Sequence, residues 1–279
     1  MSAVSIEAPE AVAGPIREVD RVQAMVVTIF GTAILAATAA AGTAALIAGI
    51  AAVQALLILG WVLGTSMPGR IGGVIIGSLA VGSADVVVAH WTRSALSPML
   101  ATFGLAIPAM FIHQLTRGVV RTRVVESLSG IALIMVIGVS LTGYLVLRHE
   151  FDAPIVTVAA IGSAGVAVTV SCLVDFVWAR PHFDPAVGRG LTGVALAVAA
   201  AAGVAFAVLR DRPEFTVGKG ALLCAAIGAL AALVSVGISF IAHGLREQDS
   251  GRRLRPLPIG LAPLCLVAPV AYLLFLSTG

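Results

Sequence analysis

Between Val22 and Gly64 the sequence has no Asp, Glu, Lys, Arg or His for 43 residues. At about 1.5 Å per residue a single helix of that length would run roughly 65 Å, twice the ~30 Å hydrocarbon core of a bilayer. The run is therefore expected to fold back on itself around Ala41 to Thr43, as a transmembrane hairpin. Charge is scarce throughout: 11% of residues are charged and 59% apolar, with a mean hydropathy of +1.06. Such a chain cannot be a soluble globular domain. Cysteine is rarer still. Cys172, Cys224 and Cys265 each lie in an apolar run, with no CxxC pair and no His at metal-ligand spacing. That pattern gives neither a disulfide framework nor a zinc site and predicts three small core residues. Lysine is almost missing, Lys219 standing against 16 Arg. The basic residues are scattered through short loops and the net charge is only +3, which removes the case for nucleic-acid binding. A basic n-region is missing as well. Glu7, Glu10, Glu18 and Asp20 outnumber Arg17 and Arg21 ahead of the first apolar run, so that run is expected to be retained rather than cleaved as a signal. With Pro9 and Pro15, residues 1–21 are expected to form a disordered cytosolic tail, and residues 22–279 one transmembrane helical domain.

What is present is a series of apolar stretches about 20 residues long, the length that spans a bilayer. They predict an all-α polytopic protein with nine transmembrane helices near 23–41, 43–64, 71–91, 96–115, 126–147, 154–178, 190–209, 217–243 and 257–277. Alternate loops divide the basic residues unevenly. The side holding the N-terminus carries twelve Arg, and the other carries Arg93, Arg148, Arg210, Arg212 and Lys219. Positive charge marks the cytoplasmic side, so the N-terminus is expected inside, the C-terminus outside, and the protein in the cytoplasmic (inner) membrane. Gly60 with Gly64, Gly73 with Gly77, and Ser78 with Gly82 have the four-residue spacing that lets helices approach closely in lipid. Pro98, Pro108, Pro263 and Pro269 fall inside spans and are expected to kink them.

An ionisable group at a helix centre costs about 2.5–3.5 kcal/mol on insertion scales, which makes it a functional candidate by default. Two acids lie well inside spans. Asp85 is about fifteen residues into the third helix, with His90 and Arg93 farther along. It suits either a proton or cation pathway or a structural pairing with Arg93 or a polar group of another helix. Asp175 stands near the end of the sixth span in SCLVDFVWARPHFDP, followed by Arg180, His182 and Asp184. Two carboxylates and a His could recruit a divalent cation and a phosphate, and the alternative is a hydrated interfacial loop anchored by Trp178. In the loop HGLREQDSGRRLRP, the residues Arg246, Arg252, Arg253 and Arg255 are candidates for anionic lipid headgroups. Lys219, in VGKGA, lacks the spacing of a nucleotide-binding loop and reads as a snorkelling helix-end residue. No HExxH or GxSxG arrangement occurs.

The order of LVDFVWARPHFDP, GRGLTGVALAV, ISFIAHGLREQDSGRRLRPLPIG and LVAPVAYLLFL resembles the phosphatidate cytidylyltransferase family over about Arg121 to Leu276. Members join CTP and phosphatidate into CDP-diacylglycerol. The resemblance implies a membrane fold with an Asp at the end of one helix, carried here by Asp175, and a basic loop with Pro and Gly before a final apolar helix. Several of the family's acids have no counterpart. Ser235 or Val236 stands where its penultimate helix has an Asp, and APLCLV replaces its closing Asp-Arg-x-Asp. Those acids would hold Mg²⁺ against the triphosphate. The resemblance thus implies a non-catalytic relative, a lipid-binding or scaffold subunit with no cofactor, whose partners are membrane lipids and a membrane protein or a second copy of itself. The rival expectations are a proton- or ion-coupled transporter using Asp85 and a headgroup nucleotidyl- or phosphotransferase using Asp175, His182 and Asp184.

Overall fold

The computed structural model describes residues 18–64, 69–90, 96–117, 123–151, 154–178, 180–184, 187–210, 215–244 and 254–277. Among these residues, nine helices are long and apolar enough to cross a bilayer, and the chain is a multi-pass helical membrane protein. In chain order the elements are α1 (Glu18–Ala41), α2 (Thr43–Gly64), α3 (Arg70–His90), α4 (Ser97–Thr116), α5 (Val124–Leu141), α6 (Gly143–Phe151), α7 (Pro154–Val177), β1 (His182–Asp184), β2 (Arg189–Gly190), α8 (Leu191–Val208), α9 (Val217–Gly244) and α10 (Pro256–Leu276). Helices α5 and α6 together make one span, Val124–Phe151. The fold-back expected near Ala41 to Thr43 is a single residue, Gly42, at φ 129°. A side chain is strained in that conformation, and glycine is not.

Two stretches differ from the sequence expectation. Helix α1 begins at Glu18, so residues 18–21 are helical rather than tail, while 1–17 lie outside the described residues. The Arg21 guanidinium donates to the Val187 carbonyl at 2.8 Å, which ties this first turn to the chain ahead of α8. The fifth span, expected to be one uninterrupted helix, breaks at Thr142. The Thr142 N–H turns to the Val139 carbonyl at 3.1 Å rather than to the carbonyl of Gly138, its partner in a regular α-helix. Gly143 follows at a contact that leaves no room for a side chain: a Cβ there would sit 2.7 Å from the Pro269 nitrogen and 2.9 Å from the Ala268 carbonyl carbon. The break and the glycine together bring the backbones of the fifth and ninth spans into contact.

Helix α10 is the hub of the bundle. It packs against α1, α2, α5, α6, α7 and α9. Small residues on its neighbours allow this, as lipid offers little hydrophobic drive and association rests on close packing. A Cβ at Gly60 would meet Leu257 and Pro258, one at Gly64 the Leu254 and Arg255 backbone, and one at Gly31 the Leu261 side chain. Two hydroxyls add hydrogen bonds to α10 carbonyls, Thr28 to Gly260 at 2.9 Å and Tyr144 to Leu264 at 3.1 Å. The Gly60 and Gly64 pair thus does what its spacing predicts, and Gly77 likewise accommodates Ile134 of α5. Ser78 and Gly82 do not. Both are exposed, and nothing stands within 4 Å of a Cβ at Gly82.

Of the four prolines, Pro263 and Pro269 lie inside α10 and Pro108 inside α4. Pro98 is in the first turn of α4, where its missing N–H has no helical partner to lose, so no kink is required there. Helix α4 packs chiefly on α3 and α5 and leaves Leu100, Leu105, Phe111, Ile112 and Leu115 exposed, as a lipid-facing surface requires. Beyond the helices, β1 and β2 form a two-stranded antiparallel ribbon pairing His182 with Gly190, too short for hydropathy to mark.

Gly143→Leu should overpack the contact with α10 and destabilise the fold by about 1–3 kcal/mol. Gly82→Leu, which meets open space, should not. Unfolding midpoints of the two variants in the same detergent check this, and equal midpoints would refute the close contact.

Candidate functional site

Two buried polar centres lie within the bundle, one around each intramembrane acid. Asp175 sits in the last turn of α7, with its side chain 1% exposed. It pairs with Arg189 of the ribbon, whose Nη1 lies 3.1 Å from Oδ2. The Gly190 N–H donates to Oδ1 at 3.0 Å. Gly190 caps α8, so the carboxylate lies at the positive end of that helix, where negative charge is favoured. Gly193, one turn farther on, leaves the space the carboxylate occupies. A Cβ there would fall 2.4 Å from Oδ1.

Arg189 is enclosed just as fully. Its Nη2 donates to Ser235 Oγ at 2.6 Å, its Nε to Ser239 Oγ at 3.1 Å and its Nη1 also to Cys172 Sγ at 3.3 Å. Burial opposes the guanidinium's charge, and Cys172 and Asp175 outweigh it and hold the group above its ordinary range. One ion pair therefore joins α7, the ribbon, the start of α8 and, through two serines, α9. Ser235 of α9 serves here as a hydrogen-bond acceptor for an arginine.

In the structure Asp175 has Arg189 for its partner rather than the Arg180, His182 and Asp184 that follow it in sequence. Asp175 turns inward, whereas Arg180 and His182 are exposed and Asp184 is half-buried in β1. Among the described residues no group of three His, Cys, Asp or Glu side chains is placed to hold a metal. Arg180 and His182 instead line an open depression of about 420 Å³ with Val177 and Trp178. Trp178 is 66% exposed and Val177 80%. Arg246, Arg252 and Arg253 lie outside the described residues. Arg255 is half-buried, and its Nε donates to the Gly64 carbonyl at 3.1 Å, joining the start of α10 to the end of α2.

The second centre holds Asp85 of α3. Its Oδ1 accepts from Thr142 Oγ1 at 2.5 Å and from Gln54 Nε2 at 3.2 Å. Gln54 Nε2 also lies 3.1 Å from the Gly138 carbonyl and 3.5 Å from Thr142 Oγ1. Of the two neighbours expected along α3, His90 is exposed and bonds the Val86 carbonyl of its own helix, and Arg93 is outside the described residues. The structural alternative, a polar group of another helix, is what pairs with Asp85.

Sequence reading missed Arg189, Gln54 and Thr142. A buried acid requires a base or several donors, and Arg189 is the basic residue directly ahead of the next apolar run. Gln54 is the one amide deep inside the hairpin's second helix. Thr142 carries no such mark.

No protein-family model matches the chain, and no curated protein does.

Arg189→Ala should leave the Asp175 carboxylate buried without a counter-charge and destabilise the protein by about 3–5 kcal/mol. Asp175→Asn combined with Arg189→Gln should recover part of that loss. Denaturant unfolding in detergent micelles measures both, and a single variant as stable as the parent would show that the pair does not hold the four elements together.

Proposed function

We propose that this protein is a non-catalytic, lipid-binding subunit of the cytoplasmic membrane that holds anionic headgroups at the depression beside the end of α7. The observation that carries this reading is the inward turn of Asp175. Both of its oxygens are engaged by Arg189 and the Gly190 N–H, and its surroundings are closed by Gly193. With the carboxylate withdrawn, the side chains lining the depression are Arg180, His182, Trp178 and Val177. That set suits a phosphate at the membrane surface: a cation contributes on the order of 1 kcal/mol near an anionic leaflet, and tryptophan settles at the headgroup level.

The resemblance to phosphatidate cytidylyltransferases points the same way. The acids that would bind Mg²⁺ are replaced, and Asp175 has a structural role as the partner of Arg189. A protein with this resemblance and this surface binds the lipid without the metal-dependent transfer. Its remaining contacts, with a partner protein or a second copy, lie on the apolar exterior that faces lipid.

The full-length protein in nanodiscs of phosphatidylcholine with 20 to 30% phosphatidate, at roughly the anionic content that gives a cytoplasmic leaflet its surface potential, should retain phosphatidate through native mass spectrometry. Arg180→Ala with His182→Ala should lose most of it. Unchanged retention would overturn the reading, as would Mg²⁺-dependent formation of CDP-diacylglycerol from CTP that Asp175→Asn abolishes.

A further inference from the structure

The Asp85 centre is built unlike the Asp175 centre, and the difference concerns charge. Asp175 has a guanidinium. Asp85 is 7% exposed and has an amide and a hydroxyl, both neutral. No cationic side chain among the described residues pairs with it. Helix α2 carries no charged side chain at all, and on α5 and α6 the nearest charged residues in sequence to Thr142 are Glu126 and Arg148. Arg148 is six residues on, about 9 Å along a helix. Burial of this kind opposes a bare negative charge in a membrane interior, and among the described residues no cationic side chain is placed to balance one.

The oxygens around Asp85 point to what balances it. The break at Thr142 releases the Gly138 carbonyl from its helical partner, and that carbonyl faces the same point as Asp85 Oδ1 and Thr142 Oγ1. The point is occupied by Gln54 Nε2, a donor within 3.1–3.5 Å of all three oxygens. A partly positive amide nitrogen thus stands where a cation would. Carboxylate, hydroxyl and an unwound main-chain carbonyl, all hard oxygen donors with one net charge between them, match a monovalent alkali ion rather than a divalent one. A proton would need only the carboxylate and one acceptor, whereas here three oxygens converge on a single point.

We propose that Asp85, Thr142 and the Gly138 carbonyl form a sodium-binding site in the membrane interior, which Gln54 closes with its amide nitrogen and completes with its amide oxygen when the side chain turns over to admit the ion. Sodium then fixes the α5–α6 break, and through Gly143 the contact with α10. The site is separate from the headgroup depression, so the two readings stand or fall independently.

The test is equilibrium binding of ²²Na⁺ to the full-length protein in nanodiscs at fixed ionic strength, with choline as the replacing cation. One saturable site per chain is expected. Asp85→Asn and Thr142→Val should each weaken it at least about tenfold, a loss of 1.4 kcal/mol, whereas Thr142→Ser, which keeps the hydroxyl, should bind as the parent does. The two Thr142 variants carry the comparison if Asp85→Asn does not fold. Absence of saturable binding would overturn the proposal, as would equal binding by Thr142→Val and Thr142→Ser. So would a parent protein whose unfolding midpoint follows pH but ignores sodium, the behaviour of a proton site.

Discussion

Close backbone contact along α10 is the constraint on which the remaining architecture depends. Lipid tails are as apolar as the helices they surround, so this bundle holds together by surface fit rather than by escape from water. Helices α1, α2 and α6 each meet α10 at a point where side-chain bulk is missing or a hydroxyl reaches across. Gly31, Gly60, Gly64 and Gly143 supply the first kind of contact, and Thr28 and Tyr144 the second. Each polar centre draws on helices that pack against α10, α2 for Asp85 and α7 and α9 for Asp175, and the break at Thr142, which shapes one of them, is adjacent to the place where α10 presses on Gly143.

The positions of the spans were legible because a bilayer imposes one length on every helix, and a 20-residue apolar window detects that length directly. The turn at Gly42 was legible for the same reason, since 43 uncharged residues exceed one crossing. The internal shape of the spans was not. Thr142 and Gly143 are common in membrane helices, and their hydropathy is the same whether the helix continues or breaks. Pro98 and Pro108 look alike in sequence, yet only Pro108 is inside its helix, a distinction set by one turn of chain.

The acids show a similar division. Both were identifiable as exceptional, because a carboxylate in an apolar run is conspicuous. Their partners were identifiable only from the fold, since Arg189 reaches Asp175 through a ribbon of a few residues and Gln54 and Thr142 reach Asp85 from two other helices. Arg180, His182 and Asp184 are nearer to Asp175 in sequence, but the chain reverses between Trp178 and Leu191 and brings Arg189 to it. The result is two solutions to one problem in a single molecule. One carboxylate is neutralised by a guanidinium held in turn by two serines and a cysteine, while the other is held by neutral dipoles around a released carbonyl.

The position of α10 also governs biogenesis. Of the nine spans among the described residues it is the last to leave the ribosome, yet it packs against α1, α2, α5, α6, α7 and α9. The earlier spans therefore enter the membrane without the element that unites them. During synthesis Gly31, Gly60 and Gly143 face lipid instead of α10, and the groove they line stays open until residues 256–276 arrive. The bundle closes around α10 only after translation of that helix, so its assembly waits on the last of the described spans rather than following the order of insertion.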